Sequence, residues 1–254
     1  MKIGRCLLPL ILVLVCCAAA QRKPVKNSEK DPQYQYEEGV VALNYGLTEE
    51  AIRYARLALS LDPNHYGGHS LLGAAFYKLG NYAEAVLEYD KAAELKPDLA
   101  EAHFNLGLAC FEAGDLVRAE AEFKQANALK EEALTSFYLA RIYLGQKKLD
   151  QALDEAQKSI RKNPGSAGAY NIKGVILNQL GRYAEAAGSF QAGLVLAPDD
   201  LNLKINLGIA YINSDQPDKA RPILEQALPD IKDPALKAKI EGYLKSIKSP
   251  AGRA

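Results

Sequence analysis

The sequence predicts an all-helical solenoid of six stacked helical hairpins closed by one C-terminal capping helix. Three observations carry that expectation. Four similar segments, LSLDPN, AELKPD, IRKNPG and LVLAPD, place prolines at positions 63, 97, 164 and 198. Two of the three intervals are 34 residues, and the third, 67, is one short of two such periods. Glycines, alanines and aromatic residues recur at fixed offsets between those prolines, and a period in this range marks a repeat array. Finally, Ala, Leu, Glu and Lys are plentiful and Trp is absent, a mixture that favours helix over sheet.

Ahead of the repeats, residues 1–20 read MKIGRCLLPLILVLVCCAAA. Lys2 and Arg5 precede a short apolar run, Leu7 to Val15, the layout of a bacterial-type export signal. Two processing sites compete. Ala18-Ala19-Ala20 offers small residues for ordinary cleavage before Gln21. Leu14-Val15-Cys16-Cys17 resembles a bacterial lipobox, which ends the signal at residue 16 and makes Cys17 a lipidated N-terminus. Cys16 stands where that motif prefers Gly, Ala or Ser. An uncleaved anchor over residues 3–20 is a third reading, but Pro9 interrupts it and the run is short for a span. Residues 21–31 (QRKPVKNSEKD) lack apolar periodicity and read as a flexible tether.

The repeats follow in order. Repeat one (32–65) keeps Gly39, Ala51, Ala58 and Pro63. Repeat two (66–99) carries Leu72-Gly73, Phe76, Gly80, Tyr82, Ala85, Tyr89, Ala92 and Pro97. Repeat three (100–132) has Leu106-Gly107, Cys110, Gly114, Ala119, Phe123 and Ala126. Repeat four (133–166) keeps Leu139, Ala140, Tyr143, Ala152 and Pro164. Repeat five (167–200) has Gly174, Gly181, Tyr183, Ala186, Phe190 and Pro198, and repeat six (201–234) Leu207-Gly208, Tyr211, Ala220, Leu224 and Ala227. Residues 235–248 form an amphipathic capping helix with lysines on a solvated face, and 249–254 a tail.

Physical chemistry accounts for these residue types. Gly73, Gly107, Gly174 and Gly208 let the paired helix approach, and Ala85, Ala119, Ala152, Ala186 and Ala220 are expected to meet them from the second helix. Larger Tyr and Phe are expected to fill the gap to the next repeat. Gly80, Gly114 and Gly181 end first helices, where a left-handed backbone suits glycine. Proline then ends the second helix. A lone hairpin cannot bury its apolar face, so the repeats stack.

In period and offsets, residues 32–247 resemble the tetratricopeptide repeat family. That resemblance implies a right-handed superhelical solenoid whose first helices line a concave groove, with the fifth, ninth and twelfth positions of each repeat facing it. Carried onto this chain, the groove residues are Tyr36, Val40 and Leu43; Ser70, Ala74 and Tyr77; Phe104, Leu108 and Phe111; Phe137, Arg141 and Leu144; Asn171, Val175 and Asn178; and Ile205, Ile209 and Ile212. Most are apolar, although the core face of the same helices is apolar as well. A helix packed on one side needs only one apolar stripe, so the run from Phe104 to Leu144 reads as a partner-binding patch. Packing between neighbouring first helices is the competing reading. The implied partner is a protein that lays an apolar or amphipathic segment in the groove. Asn105 and Asn206 occupy the sixth position used by family members that clamp a C-terminal carboxylate, but the lysines of that clamp are missing and Arg141 is the only groove cation.

Several function classes drop out. The chain carries 31 basic and 31 acidic residues, and removing Lys2 and Arg5 with the leader leaves a net charge of −2. That is no footprint for nucleic acid. His69 and His103 share the fourth position of adjacent repeats, with no carboxylate evident beside them in sequence, and they read as packing residues rather than metal ligands. Cys110, the sole cysteine beyond the leader, reads as a buried structural thiol. No catalytic residues, metal or cofactor are expected, and the chain is read as a non-enzyme. The layout of leader, basic tether and repeats is similar to the exported lipoproteins of type IV pilus biogenesis and secretin piloting. That likeness implies a periplasmic scaffold, membrane-anchored if Cys17 is lipidated. The alternative is an accessory module for an envelope enzyme, such as a peptidoglycan hydrolase or a polysaccharide exporter.

Overall fold

The computed structural model describes residues 28–246, and the segment expected to be an export signal, Cys17 and the expected tail lie outside them. Thirteen α-helices and no strands occur among the described residues. The chain divides into two compact units at Lys96 and Pro97. The first holds the hairpins α1 (Pro32–Asn44) with α2 (Thr48–Leu61) and α3 (Tyr66–Lys78) with α4 (Tyr82–Leu95). The second holds α5 (Ala100–Glu112) with α6 (Leu116–Leu129), α7 (Ala133–Gly145) with α8 (Leu149–Lys162), α9 (Ala167–Gln179) with α10 (Tyr183–Leu196), and α11 (Leu201–Asn213) with α12 (Pro217–Ala227). Helix α13 (Pro234–Ser246) follows a 3-10 turn, Leu228–Asp230.

Local signals set the helix ends. Asp115, Ser166 and Asp200 accept the backbone N–H three residues on, and His65 caps α3 by accepting the Gly68 N–H through Nδ1 at 3.0 Å. Within four hairpins the connecting glycine has φ between +74° and +86°, whereas Lys147 and Asp215 hold the same joint in repeats four and six at +59° and +56°. An L side chain there costs about 1–2 kcal/mol, so those two joints are held by the packing of the helices on either side. Three residues of the segment read as a tether are ordered against the first helix. Ser28–Lys30 forms a 3-10 turn, Gln35 donates to the Glu29 carbonyl at 3.1 Å, and Asp31 caps α1.

The hairpin cores correct one expectation. Ala85, Ala119, Ala152, Ala186 and Ala220 are fully buried, but the atoms nearest the first-helix glycines belong to larger side chains. A Cβ on Gly174 would sit 2.4 Å from the Phe190 ring, and one on Gly208 2.4 Å from Leu224. Tyr89 and Phe123 cover Gly73 and Gly107 in the same way. The missing Cβ makes a slot, and in these repeats the slot admits a large side chain of the same repeat, a ring in three of them and Leu224 in the fourth. At the C-terminal end, α13 packs on α12 and the 3-10 turn, burying Ile240 completely, and Arg221 donates to the Leu244 carbonyl at 3.4 Å.

Candidate protein-binding face

In the first unit, most of the predicted groove side chains are occupied in packing. Tyr36, Val40 and Leu43 are half-buried against the core of Ala42, Ala51, Ile52, Ala55, Leu71 and Leu72. Tyr36 lies over Gly67, with its ring 5.8 Å from that of His65. Tyr77 meets Tyr82 edge-on at 5.4 Å, and Lys78 donates to the Leu43 carbonyl at 2.9 Å. Ser70 and Ala74 are half-buried.

The second unit brings the predicted aromatic residues together around a ring that the sequence reading does not single out. Tyr138, at the sixth position of repeat four, stacks on the buried Phe123 at 5.3 Å with 15° between the ring planes. Phe104, Phe111 and Phe137 surround it at 6.2, 5.4 and 5.6 Å, each presenting an edge-type contact. The patch is therefore not an open apolar stripe. Phe104, Leu108, Phe111, Phe137, Arg141 and Leu144 are all half-buried and none is exposed. The sequence signal available was an aromatic at a sixth position that holds Glu37, Leu71, Asn105, Ile172 and Asn206 in the other repeats.

Arg141 completes the cluster. Its guanidinium carbon lies 4.6 Å from the Phe111 ring centre, 5.4 Å from that of Tyr138 and 5.8 Å from that of Phe137. Burial pushes the Tyr138 phenol above its ordinary value, with the Arg141 charge opposing and the Glu112 charge adding to the shift. Beside this cluster, a cavity of about 440 Å³ opens among Leu99, Phe104, Ala126, Leu129 and Thr135, with Lys130 and Glu132 at its polar side.

Repeats five and six present a different surface. Asn206 donates through Nδ2 to Asn171 Oδ1 at 3.0 Å, and Asn213 donates to Asn178 Oδ1 at 3.2 Å. Val175, Ile209 and Ile212 are half-buried. Ile205 is buried at 5% exposure and offers no surface to a partner, which removes it from the predicted groove set.

The histidines are not bare packing residues. His69 hydrogen-bonds Glu88 Oε2 through Nδ1 (2.7 Å) and the Pro63 carbonyl through Nε2 (2.9 Å). His103 repeats both contacts with Glu122 (2.8 Å) and Pro97 (2.9 Å). Each glutamate sits 19 residues downstream on the second helix of the same repeat, so carboxylate partners that are not evident in the sequence are supplied by the hairpin fold. Among the described residues, no cluster of three His, Cys, Asp or Glu side chains could hold a metal. Cys110 is buried.

Hairpins of nearly constant length, left-handed joints and small-residue slots define a helical-repeat scaffold. A family described as TPR repeat matches residues 73–114, and families described as tetratricopeptide repeat match residues 32–65, 137–200 and 177–240. The chain belongs to the tetratricopeptide repeat family, a scaffold for protein–protein interaction that is typically non-catalytic. Tetratricopeptide repeat protein 28 of Homo sapiens is 36% identical over 84 residues, which are 33% of this chain and 3% of that protein. The chain thus spans a small fraction of this curated relative. The structure of the APC/C hetero-tetramer Cut9-Hcn1 matches with a TM-score of 0.71 at 18% identity, covering 94% of this chain and 46% of that one. Pseudomonas aeruginosa pilF matches with a TM-score of 0.75 at 20% identity, covering 85% of this chain and 99% of that one. Both likenesses concern the fold.

Proposed function

We propose that the chain is an exported scaffold that holds protein partners at the bacterial cell envelope, binding an apolar or amphipathic segment on the face built by α5 and α7. The observation that carries the binding-face reading is the ring cluster of Phe104, Phe111, Phe137 and Tyr138 under Arg141. Aromatic and arginine side chains are the residue types that most often dominate binding energy at protein interfaces. Export rests on the charged n-region and short apolar core of residues 1–20, and membrane anchoring on a lipidated Cys17. The fold likeness to pilF motivates the specific place: assembly of a type IV pilus or secretin.

A pull-down from envelope extract, using the chain as bait with a Phe104→Ser/Phe111→Ser variant beside it, tests the reading. Secretin or pilus proteins retained by the parent and lost by a folded variant support it. Retention of a peptidoglycan hydrolase or polysaccharide export enzyme instead makes the chain an accessory module. Intact capture by the folded variant removes the α5–α7 face from the account. Mass spectrometry of the mature chain tests the anchor: acyl chains on Cys17, lost in Cys17→Ser, support it, and a lipid-free N-terminus at Gln21 overturns it.

A further inference from the structure

Arg141 is the odd group in this face. It is half-buried, and among the described residues none of its five N–H donors has a hydrogen-bond acceptor and its charge has no carboxylate partner. The comparable half-buried arginine of α12, Arg221, pairs with Glu225 at 3.2 Å and donates to the Leu244 carbonyl. A partly desolvated cation normally finds such partners, because losing water without a replacement is costly. The rings of Phe111, Tyr138 and Phe137 compensate the charge in part and hold the side chain in place. They accept none of its N–H groups in ordinary hydrogen bonds. The result is a guanidinium held by aromatic contacts, with no protein acceptor for its N–H groups among the described residues.

We propose that Arg141 is a recognition site for a single carboxylate side chain, Asp or Glu, within the apolar segment that binds this face. The inference rests on the α5–α7 face being the binding face and names the chemistry of its ligand. A carboxylate matches a lone guanidinium in charge and accepts two parallel N–H bonds from it. A phosphorylated segment fits less well, since phosphate recognition uses clusters of arginines, and among the described residues no second cation lies over these rings. Apolar flanks on the ligand suit Phe137 beside the charge and the half-buried Leu108 and Leu144 at the neighbouring groove offsets.

The test is an array of acetylated, amidated nonapeptides built from Leu, Phe and Ala. The central residue is Asp, Glu, Asn, Gln, Lys or phosphoserine, and a parallel set has a free C-terminal carboxylate in place of the central acid. The full chain and its Arg141→Gln and Arg141→Lys variants are probed, with helicity and melting temperature measured on each. The expected result is at least tenfold tighter retention of Asp and Glu peptides than of their Asn and Gln twins. Arg141→Gln abolishes that preference, and Arg141→Lys, which keeps the charge over the rings, restores it only in part. Retention of apolar peptides with no acidic preference, or a preference that survives Arg141→Gln, overturns the carboxylate site and leaves the binding face standing. Stronger retention of phosphoserine or C-terminal carboxylate peptides overturns the choice of an internal Asp or Glu. Retention of no peptide at all overturns both the site and the face.

Discussion

Two surfaces of the second unit use the same helix offsets for different chemistry. On α5 and α7, the fifth, ninth and twelfth positions carry Phe104, Phe111, Phe137 and Arg141, which close around Tyr138. On α9 and α11, the fifth and twelfth positions of one repeat meet the sixth and thirteenth of the next, as the pairs Asn171–Asn206 and Asn178–Asn213. Both surfaces are knitted across neighbouring first helices, so contact between repeats does not distinguish them. Their satisfaction does. Each asparagine pair exchanges a neutral hydrogen bond between like side chains, whereas the ring cluster holds a cation that rings alone cannot satisfy. One repeat geometry thus carries two surfaces of different polar chemistry.

The largest effect expected is on the ground beneath the aromatic surface. Phe123 is fully buried, stacks on Tyr138 and fills the slot over Gly107. Phe123→Ala should cost about 3–5 kcal/mol by urea unfolding, and capture should fail with it. Next comes a core substitution under the asparagine surface. Gly174→Ala places a Cβ 2.4 Å from the Phe190 ring, so overpacking should cost about 1–3 kcal/mol. Destabilisation by both would show that the two surfaces stand on the same kind of core, and a neutral Gly174→Ala would break that equivalence.

Smaller changes sharpen the contrast at the surfaces themselves. Phe111→Leu removes the ring beneath Arg141 at little change in volume, so stability should fall by less than about 1.5 kcal/mol while capture measured by anisotropy weakens. Asn213→Ala, at the exposed amide pair, should shift stability by no more than about 0.5 kcal/mol and leave capture unchanged. A strong capture defect there would relocate the binding face to α9 and α11. The smallest effect lies in titration. Burial raises the Tyr138 phenol and Arg141 opposes that shift. A raised folded-state value means the neutral phenol is favoured, so its stabilisation is present below the ordinary tyrosine value of about 10 and lost as pH rises through the higher folded value. Ultraviolet titration should show Tyr138 ionising later than exposed tyrosines, and later still in Arg141→Gln.

Much of the fold is legible in the chain because its marks are local. Gly80, Gly114 and Gly181 take left-handed joints, and the prolines at 63, 97, 164 and 198 fall two residues past the second helices. These follow from backbone sterics and missing N–H groups, which need no knowledge of neighbours. The candidate face is only half legible. Offsets assign Phe104, Phe111, Phe137 and Arg141 to one side of their helices, but not the ring that joins them. Tyr138 lies next to Phe137 in sequence, and only the packing of α7 against α5 and α6 turns it onto Phe123.

By itself the sequence determined the repeat period, the helical hairpin and the ends of most helices, since each depends on residues within one or two turns. Tertiary structure alone decided which side chains are occupied. It placed Tyr89, Phe123, Phe190 and Leu224 over the glycine slots. It supplied Glu88 to His69 and Glu122 to His103 across a hairpin. It buried Ile205, and it set Arg141 over three rings, with no carboxylate paired to it among the described residues. The physical reason is that satisfaction of a polar or apolar group depends on what stands within a few ångströms of it. In a stacked array most of those neighbours come from residues 15 to 35 positions away, beyond the reach of a local pattern.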